Sequence, residues 1–464
     1  MTGLDSYSPQ FRTALVLTGT GTAGAYHAGV LRALHEAGVK LDVVAGRGVG
    51  AVGALFAAVD GAQNLWGEKG FWRQDGLGGL YDWRRTLRLA AYAVAVAFAI
   101  IALPIGAVAL GAIVFPIDFL VRMVGLGGVE GLVGAYQRLT ARLFAAGGFP
   151  TWLPRLAVLV LGLAALAIVV EMLTAAGRRR RRGAIWWRGL GAPLSSREMR
   201  ARCWSVLWDL IRGAAQLRQP EPEDLARRYT ELLVENIGQP GFRELLIAAH
   251  DLDARRDLIF ALVAEPRRRD LMRRVKTAET EARRAEVIDL AGAGRTHVAD
   301  AVAAALSVPV VTEPHTMTFA PETYWRGETH RVCDRPGSLS RLLDELAALG
   351  VEQVVLVAAS SELEGPHALA DARLDGRGRV GEYVQSVEVA AVRDALQFAT
   401  RRLPRLFTIR PAHNPLGPFD FSGGYDDRSD RRQPLSELLA RGYEDAYRQF
   451  IEPVVGASGE HVGR

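Results

Sequence analysis

Two cysteines in 464 residues, Cys203 and Cys333, exclude a disulfide framework, and neither has neighbours at metal-ligand spacing. The nine histidines are likewise scattered, so no metal and no cofactor is expected. Internal repeats and long low-complexity tracts are missing, and the polar segment Met1 to Gln10 gives no reason to expect a secretory signal there. The net charge is only +5, and no nucleic-acid partner is expected. Two further absences matter more. Leu89 to Ile117 contains no charged residue, and a turn otherwise suited to a nucleophile, Gly46-Arg47-Gly48-Val49-Gly50, has neither hydroxyl nor thiol at its centre. What the chain does have is length beyond one typical domain and an apolar content of 49%, enough for a large core.

Thr13-Ala14-Leu15-Val16-Leu17 is an apolar, β-branched run of the kind that forms a buried strand, and Gly19-Thr20-Gly21-Thr22-Ala23-Gly24 follows it directly. Val30, Leu31, Leu34 and Val39 then recur near helical spacing, with Gly38 placed as a C-terminal cap. Leu41 to Ala45 reads as a second strand, and the small-residue run Val49 to Ala58 as the helix behind the turn. A strand, sharp turn and helix is the setting that a nucleophile elbow needs, because the turn lifts its central side chain above the sheet beside free helix N-terminal amides. Several readings of the glycine loop remain open. A dinucleotide fingerprint would share Gly19, Gly21 and Gly24 but wants an acid at the far end of the second strand, and Asp42 lies at the near end. A Walker-type phosphate loop needs Lys and then Ser or Thr where Ala25-Tyr26 stands. An oxyanion loop, with amides facing an ester carbonyl, fits the elbow one βαβ unit downstream. A tight turn without a ligand is the plain structural alternative.

Taken together, Leu15 to Leu34 and Val43 to Ala58 resemble the patatin-like phospholipase family. The resemblance implies an α/β fold, a patatin-like sheet flanked by helices, and lipid acyl hydrolysis by a Ser-Asp dyad without histidine. It implies that Gly19, Thr20, Gly21 and Thr22 form the oxyanion loop and that Gly46, Arg47, Val49 and Gly50 frame the elbow, with Gly48 where the nucleophilic serine belongs. Thr20 replaces a loop glycine, Ala23 a basic residue and Arg47 a small one. The family's acid follows a short strand and precedes a helix that leads to another buried strand. Thr329 to Asp334, the helical leucines Leu339, Leu342, Leu343, Leu346 and Leu349, and the strand Val354 to Val357 reproduce that order. Asp334 is therefore the candidate acid, although Arg335-Pro336 replaces the family's two small residues. An ordinary helix N-cap is the other account of Asp334. Asp426, after Gly423-Gly424-Tyr425, is an alternative acid. Glycine offers no side chain that a base could activate, and losing the nucleophile of such a unit removes about 10⁶ of turnover. A serine restored at position 48 is expected to find room between Gly46 and Gly50 and to bring a weak gain of activity.

The uncharged run Leu89 to Ile117 is long enough to cross the roughly 30 Å hydrocarbon core, with Pro104 and Gly106 as kinks. Leu156 to Val170 is a shorter second stretch that reaches Ala176 if Glu171 sits at the interface. Arg84, Arg85 and Arg88 precede this pair and Arg178 to Arg182 follow it, which predicts a transmembrane hairpin with both ends and the α/β domain on the cytoplasmic side. Anionic headgroups are the expected partner of the arginine run. Between the spans, Asp118 to Arg155 is glycine-rich and mildly amphipathic, with Leu132, Tyr136, Leu139 and Leu143 on one face. Ser195 to Arg284 is charged and helical, yet Leu245 to Ala249 inside it reads as a strand returning to the sheet, with Leu258 to Val263 as its hairpin partner.

The chain thus divides into the N-terminal part of the α/β domain (11–83), the transmembrane hairpin with its basic flanks (84–182), a charged helical insertion (183–290) and the C-terminal part of the α/β domain (291–464). The expected protein is a membrane-anchored, catalytically impaired relative of lipid acyl hydrolases that binds membrane lipid or a protein partner. One alternative is an active hydrolase with a displaced nucleophile, drawn from Thr18, Thr20, Thr22 or Cys333. The other is a purely structural membrane scaffold. No oligomeric state follows from the sequence.

Overall fold

Apolar runs that are buried on both faces set the centre of the fold in the computed structural model, which describes residues 7–125, 130–177, 191–272, 286–361, 376–412, 416–423, 425–426 and 429–456. Arg178 to Arg182 and most of the mixed-charge run up to Arg284 lie outside the described residues. The chain forms two compact units, Met1–Asp82 with Leu194–Arg464, and Trp83–Pro193.

In the first unit, β1 (Thr13–Thr18), β2 (Val43–Arg47), β3 (Glu244–Asp251), β4 (Arg256–Leu262), β5 (Val287–Asp289), β6 (His315–Thr318), β7 (Thr329–Cys333), β8 (Gln353–Ala358) and β9 (Arg405–Ile409) form one sheet. Its order is β9-β8-β1-β2-β3-β4-β5, and the β6-β7 hairpin joins through β7 to the end of β3. Strands β9, β8, β1, β2 and β3 are parallel, with Leu15 opposite both Val355 and Val44 and with Ala45 opposite Leu246. Strand β4 reverses direction against β3. The expected strand at Leu245 and its hairpin partner at Leu258 are these two strands. The result is a mixed, mostly parallel α/β sheet consistent with a patatin-like fold.

The longer helices are α1 (Ala23–Glu36), α2 (Gly50–Ala57), α3 (Arg85–Met123), α4 (Glu130–Leu143), α5 (Phe149–Gly177), α6 (Arg197–Arg212), α7 (Pro222–Asn236), α8 (Val298–Ala305), α9 (Ser338–Ala348), α10 (Gly376–Ala399) and α11 (Leu435–Ala446). All six residues of β1 are buried, as a strand covered on both faces requires. Because side chains alternate across a strand, Leu15 and Leu17 enter one core with α1, α2 and α11, while Ala14 and Val16 enter another with α9 and α10. Helix α9 begins at Ser338 with Gly337 at its cap position, so Asp334 is not the N-cap that its sequence context allowed. A turn intervenes, in which Ser338 N–H donates to the Arg335 carbonyl and Leu339 N–H to that of Pro336.

In the second unit, two helices are long and apolar enough to cross a membrane, Arg85–Met123 and Phe149–Val170, whose most apolar 18-residue stretches have mean hydropathy of 2.6 and 2.5. Each is longer than the uncharged run that announced it, because flanking polar residues extend the helix past the apolar stretch. Pro104, Pro116 and Pro154 lie inside them. Their apolar side chains face outward: Phe98 and Ile105 are each 69% exposed and Val158 is 70% exposed. Helix α4, the amphipathic segment between the spans, packs on α3 through Tyr136, whose hydroxyl donates to the Ala107 carbonyl at 3.1 Å and whose ring meets Phe115 edge-on.

Candidate active site

Strand β2 delivers Arg47 to the end of the sheet, and the chain turns at Gly48, φ +56°, into α2. A nucleophile elbow places its central residue in this strained left-handed region, which glycine occupies at little cost. The amide that follows the central residue normally contributes to the oxyanion hole. Here that amide, Val49 N–H, donates to the Gly19 carbonyl at 3.0 Å. The glycine loop therefore presents an oxygen to the elbow where an oxyanion would need a donor. A β-carbon at position 48 would overlap this same carbonyl and lie 3.1 Å from Asp334 Oδ2. The expectation that Gly46 and Gly50 leave room for a serine is thus overturned, because the obstruction comes from the loop after β1.

The rest of the glycine loop is also covered. Thr22 N–H donates to the Pro418 carbonyl at 3.0 Å, and Thr22 Oγ1 donates to that of Gly417 at 3.0 Å. From the same C-terminal segment, the Phe421 ring stacks on Tyr81 at 5.7 Å and on Trp72 at 6.5 Å, while Phe419 packs against Tyr81. Beside Glu388 a cavity of about 10 Å³, lined in part by Thr20, Ala23, Ser360 and Gln385, has room for one water and none for an acyl ester.

Arg47 is fully buried and uses its whole guanidinium fork. Nε and Nη2 donate to Asp334 Oδ1 at 3.1 Å and Oδ2 at 2.7 Å, a bidentate pair. Nη1 donates to Glu388 Oε1 at 2.6 Å and Oε2 at 2.7 Å, and to Thr18 Oγ1 at 3.1 Å. Thr18 in turn donates its hydroxyl to Glu388. One cation from the elbow therefore ties together the ends of β1 and β7 and the middle of α10. Burial opposes the charge on Arg47, but Asp334 and Glu388 outweigh burial and raise its pKa. Burial pushes the Asp334 carboxyl above its ordinary range against the pull of Arg47, and the charge on Glu388 adds to the rise. Loss of solvent around the carboxylate is the main physical reason for that direction, and it outweighs the attraction of the guanidinium.

His27, on α1 next to this cluster, is fully buried, and its Nε2 lies 3.0 Å from the Thr18 carbonyl. Because a carbonyl only accepts, Nε2 carries the proton and Nδ1 is bare. Nδ1 has no hydrogen-bond partner among the described residues. Burial, with the charge of Arg47 adding to it, lowers the His27 pKa from 6.5 to about 4. The unfolded chain then binds more protons than the folded one between those values, so stability is lost as the pH falls from 6.5 towards 4. From a shift of this size the loss should be about 3 kcal/mol, and His27→Gln should flatten that part of the profile in denaturant titrations. Asp334, raised rather than lowered, acts with the opposite sign, so the difference between native and variant profiles isolates the histidine.

The structure thus brings together Gly19, Arg47, Gly48, Val49 and Asp334 at one end of the sheet. Asp426 falls in a separate two-stranded ladder with Ser429–Arg432, off the main sheet. The residue that sequence reasoning missed is Glu388, in a helix of mixed polar character with nothing to mark it. Its one available signal was Arg47 itself, since a buried cation at a turn requires carboxylate partners. Among the substitute nucleophiles, the Thr18 and Thr22 hydroxyls are engaged as described, and Thr20 is buried. Burial, assisted by Asp334, pushes the Cys333 thiol up to about 12, far from a reactive thiolate.

An elbow, a glycine loop and a carboxylate carried in from a distant strand define the frame of an α/β acyl-hydrolase type. Residues 15–101 match the family model described as Patatin-like phospholipase, so this part of the chain is similar to that family. Patatin-like phospholipase domain-containing protein 6 of Homo sapiens and that of Mus musculus are each 56% identical to it over 45 residues. That alignment covers 10% of this chain and about 3% of the length of these curated relatives. A solved structure described as VipD from Legionella pneumophila aligns over 97% of this chain and 67% of its own, at 13% identity and a TM-score of 0.34, a likeness too low to carry an argument.

Proposed function

We propose that this chain is a membrane-anchored, catalytically impaired relative of lipid acyl hydrolases that works by binding membrane lipid. The observation that carries the impairment is the Arg47 fork: the candidate acid Asp334 is committed to a buried guanidinium and is not free to act as a base. The missing hydroxyl at Gly48 and the occupied Val49 amide remove the nucleophile and an oxyanion donor independently. The anchor rests on the two outward-facing apolar helices of the second unit and on the basic residues Arg84, Arg85 and Arg88 before them, which favour a cytoplasmic α/β domain.

A carbonate wash tests the anchor. The full-length chain should stay with the membrane pellet, and a chain lacking Leu89 to Ala176 should move to the supernatant. Recovery of the full-length chain in the soluble fraction would contradict the anchor while leaving the reading of the elbow intact. No observation favours the displaced-nucleophile alternative drawn from Thr18, Thr20, Thr22 or Cys333, since the first and third are hydrogen-bonded and the other two are buried.

A further inference from the structure

Helices α9 and α10 pack against each other on the sheet face away from α1. Between the first half of α9 and the C-terminal end of α10 runs a half-open groove of about 440 Å³. Its floor is apolar, made by Leu343, Ala395, Ala399 and Leu403, all of which are buried. Phe398 forms a wall and leaves 59% of its surface exposed. The rim is polar and carries an uneven charge. Arg402 pairs with Asp344 at 2.6 Å, which neutralises both. Arg401, also on the rim, has no side-chain hydrogen bond or ion pair among the described residues. The groove therefore offers an apolar trough with one uncompensated cation at its edge. It shares no lining residue with the small cavity beside Glu388.

Size decides between kinds of occupant. A standard protein interface uses about 20–30 residues a side. Only nine residues line this groove, and its volume falls within the roughly 300–1,000 Å³ of small-molecule sites. The charge then selects the head, because a neutral ligand would leave Arg401 unanswered.

We propose that this groove binds a single-chain anionic amphiphile, its hydrocarbon chain against Leu343, Ala395, Phe398 and Leu403 and its acidic head on Arg401. The inference stands independently of whether the elbow is active. The shared chemistry is one apolar chain with one acidic head, which a long-chain fatty acid or a lysophospholipid bearing a terminal phosphate could both supply.

The test uses the full chain in phosphatidylcholine vesicles with a trace of a diazirine-bearing fatty acid, photolysed and mapped by peptide mass spectrometry. Crosslinks are expected on Ser340–Asp344 and on Ala395–Leu403, besides those that any membrane-spanning helix collects. Excess unlabelled fatty acid should suppress the groove crosslinks, and the monoacylglycerol of the same chain length should not. Stronger suppression by a lysophospholipid with a terminal phosphate would assign the head to phosphate rather than carboxylate. Arg401→Glu should lower the groove crosslinks by about tenfold, the loss of one charge-assisted hydrogen bond, with the hairpin crosslinks unchanged. Phe398→Asp should do the same through the apolar wall. Both positions are exposed, so neither change threatens the fold. Groove peptides labelled no more than the general surface, equal suppression by the monoacylglycerol, or indifference to Arg401→Glu would each overturn the assignment. Loss of the hairpin crosslinks alone would contradict the anchor and leave the groove standing.

Discussion

Arg47→Met should destabilise the protein by about 3–5 kcal/mol, because removing one partner of a buried ion cluster leaves its counter-charges without compensation. Asp334 and Glu388 would then face the same emptied space, both nearly free of solvent. Methionine fills much of the volume of arginine, so a cavity term contributes little and the loss is electrostatic. The triple variant Arg47→Met, Asp334→Asn, Glu388→Gln should recover most of that stability, since a cluster replaced as a whole leaves no charge behind. Denaturant unfolding of the full-length protein in detergent, followed by tryptophan fluorescence, reads both outcomes. A single variant within 0.5 kcal/mol of the native protein would mean that the cluster contributes nothing to the fold, and that Asp334 is freer than its bonds to Arg47 imply.

The second large effect is a null where a gain would ordinarily be expected. Serine hydrolases owe about 10⁶ of turnover to the nucleophilic unit, so restoring a serine is the obvious repair. Gly48→Ser should nevertheless remain unlabelled by a fluorophosphonate probe. Its β-carbon would overlap the Gly19 carbonyl, Asp334 would still be held by Arg47, and Val49 N–H would still be bonded. Adding Arg47→Ala frees the acid but moves neither the Gly19 peptide nor the segment over Thr22, so the double variant should label weakly at most. Strong labelling of Gly48→Ser alone would show that the loop yields readily and that the missing hydroxyl was the sole defect.

Much of the first βαβ unit was legible because local signals agreed. The run Thr13 to Leu17, the glycines that follow and the small residues after Gly48 carry their structure in short-range pattern. Strand β3 could be read inside a charged region because Leu245 to Ala249 is apolar throughout, as a strand buried on both faces must be. The site was legible only in part. Asp334 could be placed from the order of elements around it, but its partner Glu388 lies 341 residues from Arg47, and no local pattern reports such a pairing. The closure of the elbow was equally hidden. It depends on the direction of a single peptide at Gly19, φ +137°, which glycine permits but does not dictate. The same holds for the contact between Pro418 and Thr22, made by a segment with turn-forming residues and no periodicity.

Hydrolysis of a fluorogenic phospholipid ester by the purified full-length protein, compared with its Asp334→Asn variant, tests most directly whether the acid is spent on Arg47 rather than on chemistry. Both proteins should turn over substrate at the rate of the buffer alone, and the two rates should be equal. A native rate well above buffer that falls more than about tenfold in the folded Asp334→Asn variant would contradict this, for it would show that Asp334 acts as a working base at a functioning site.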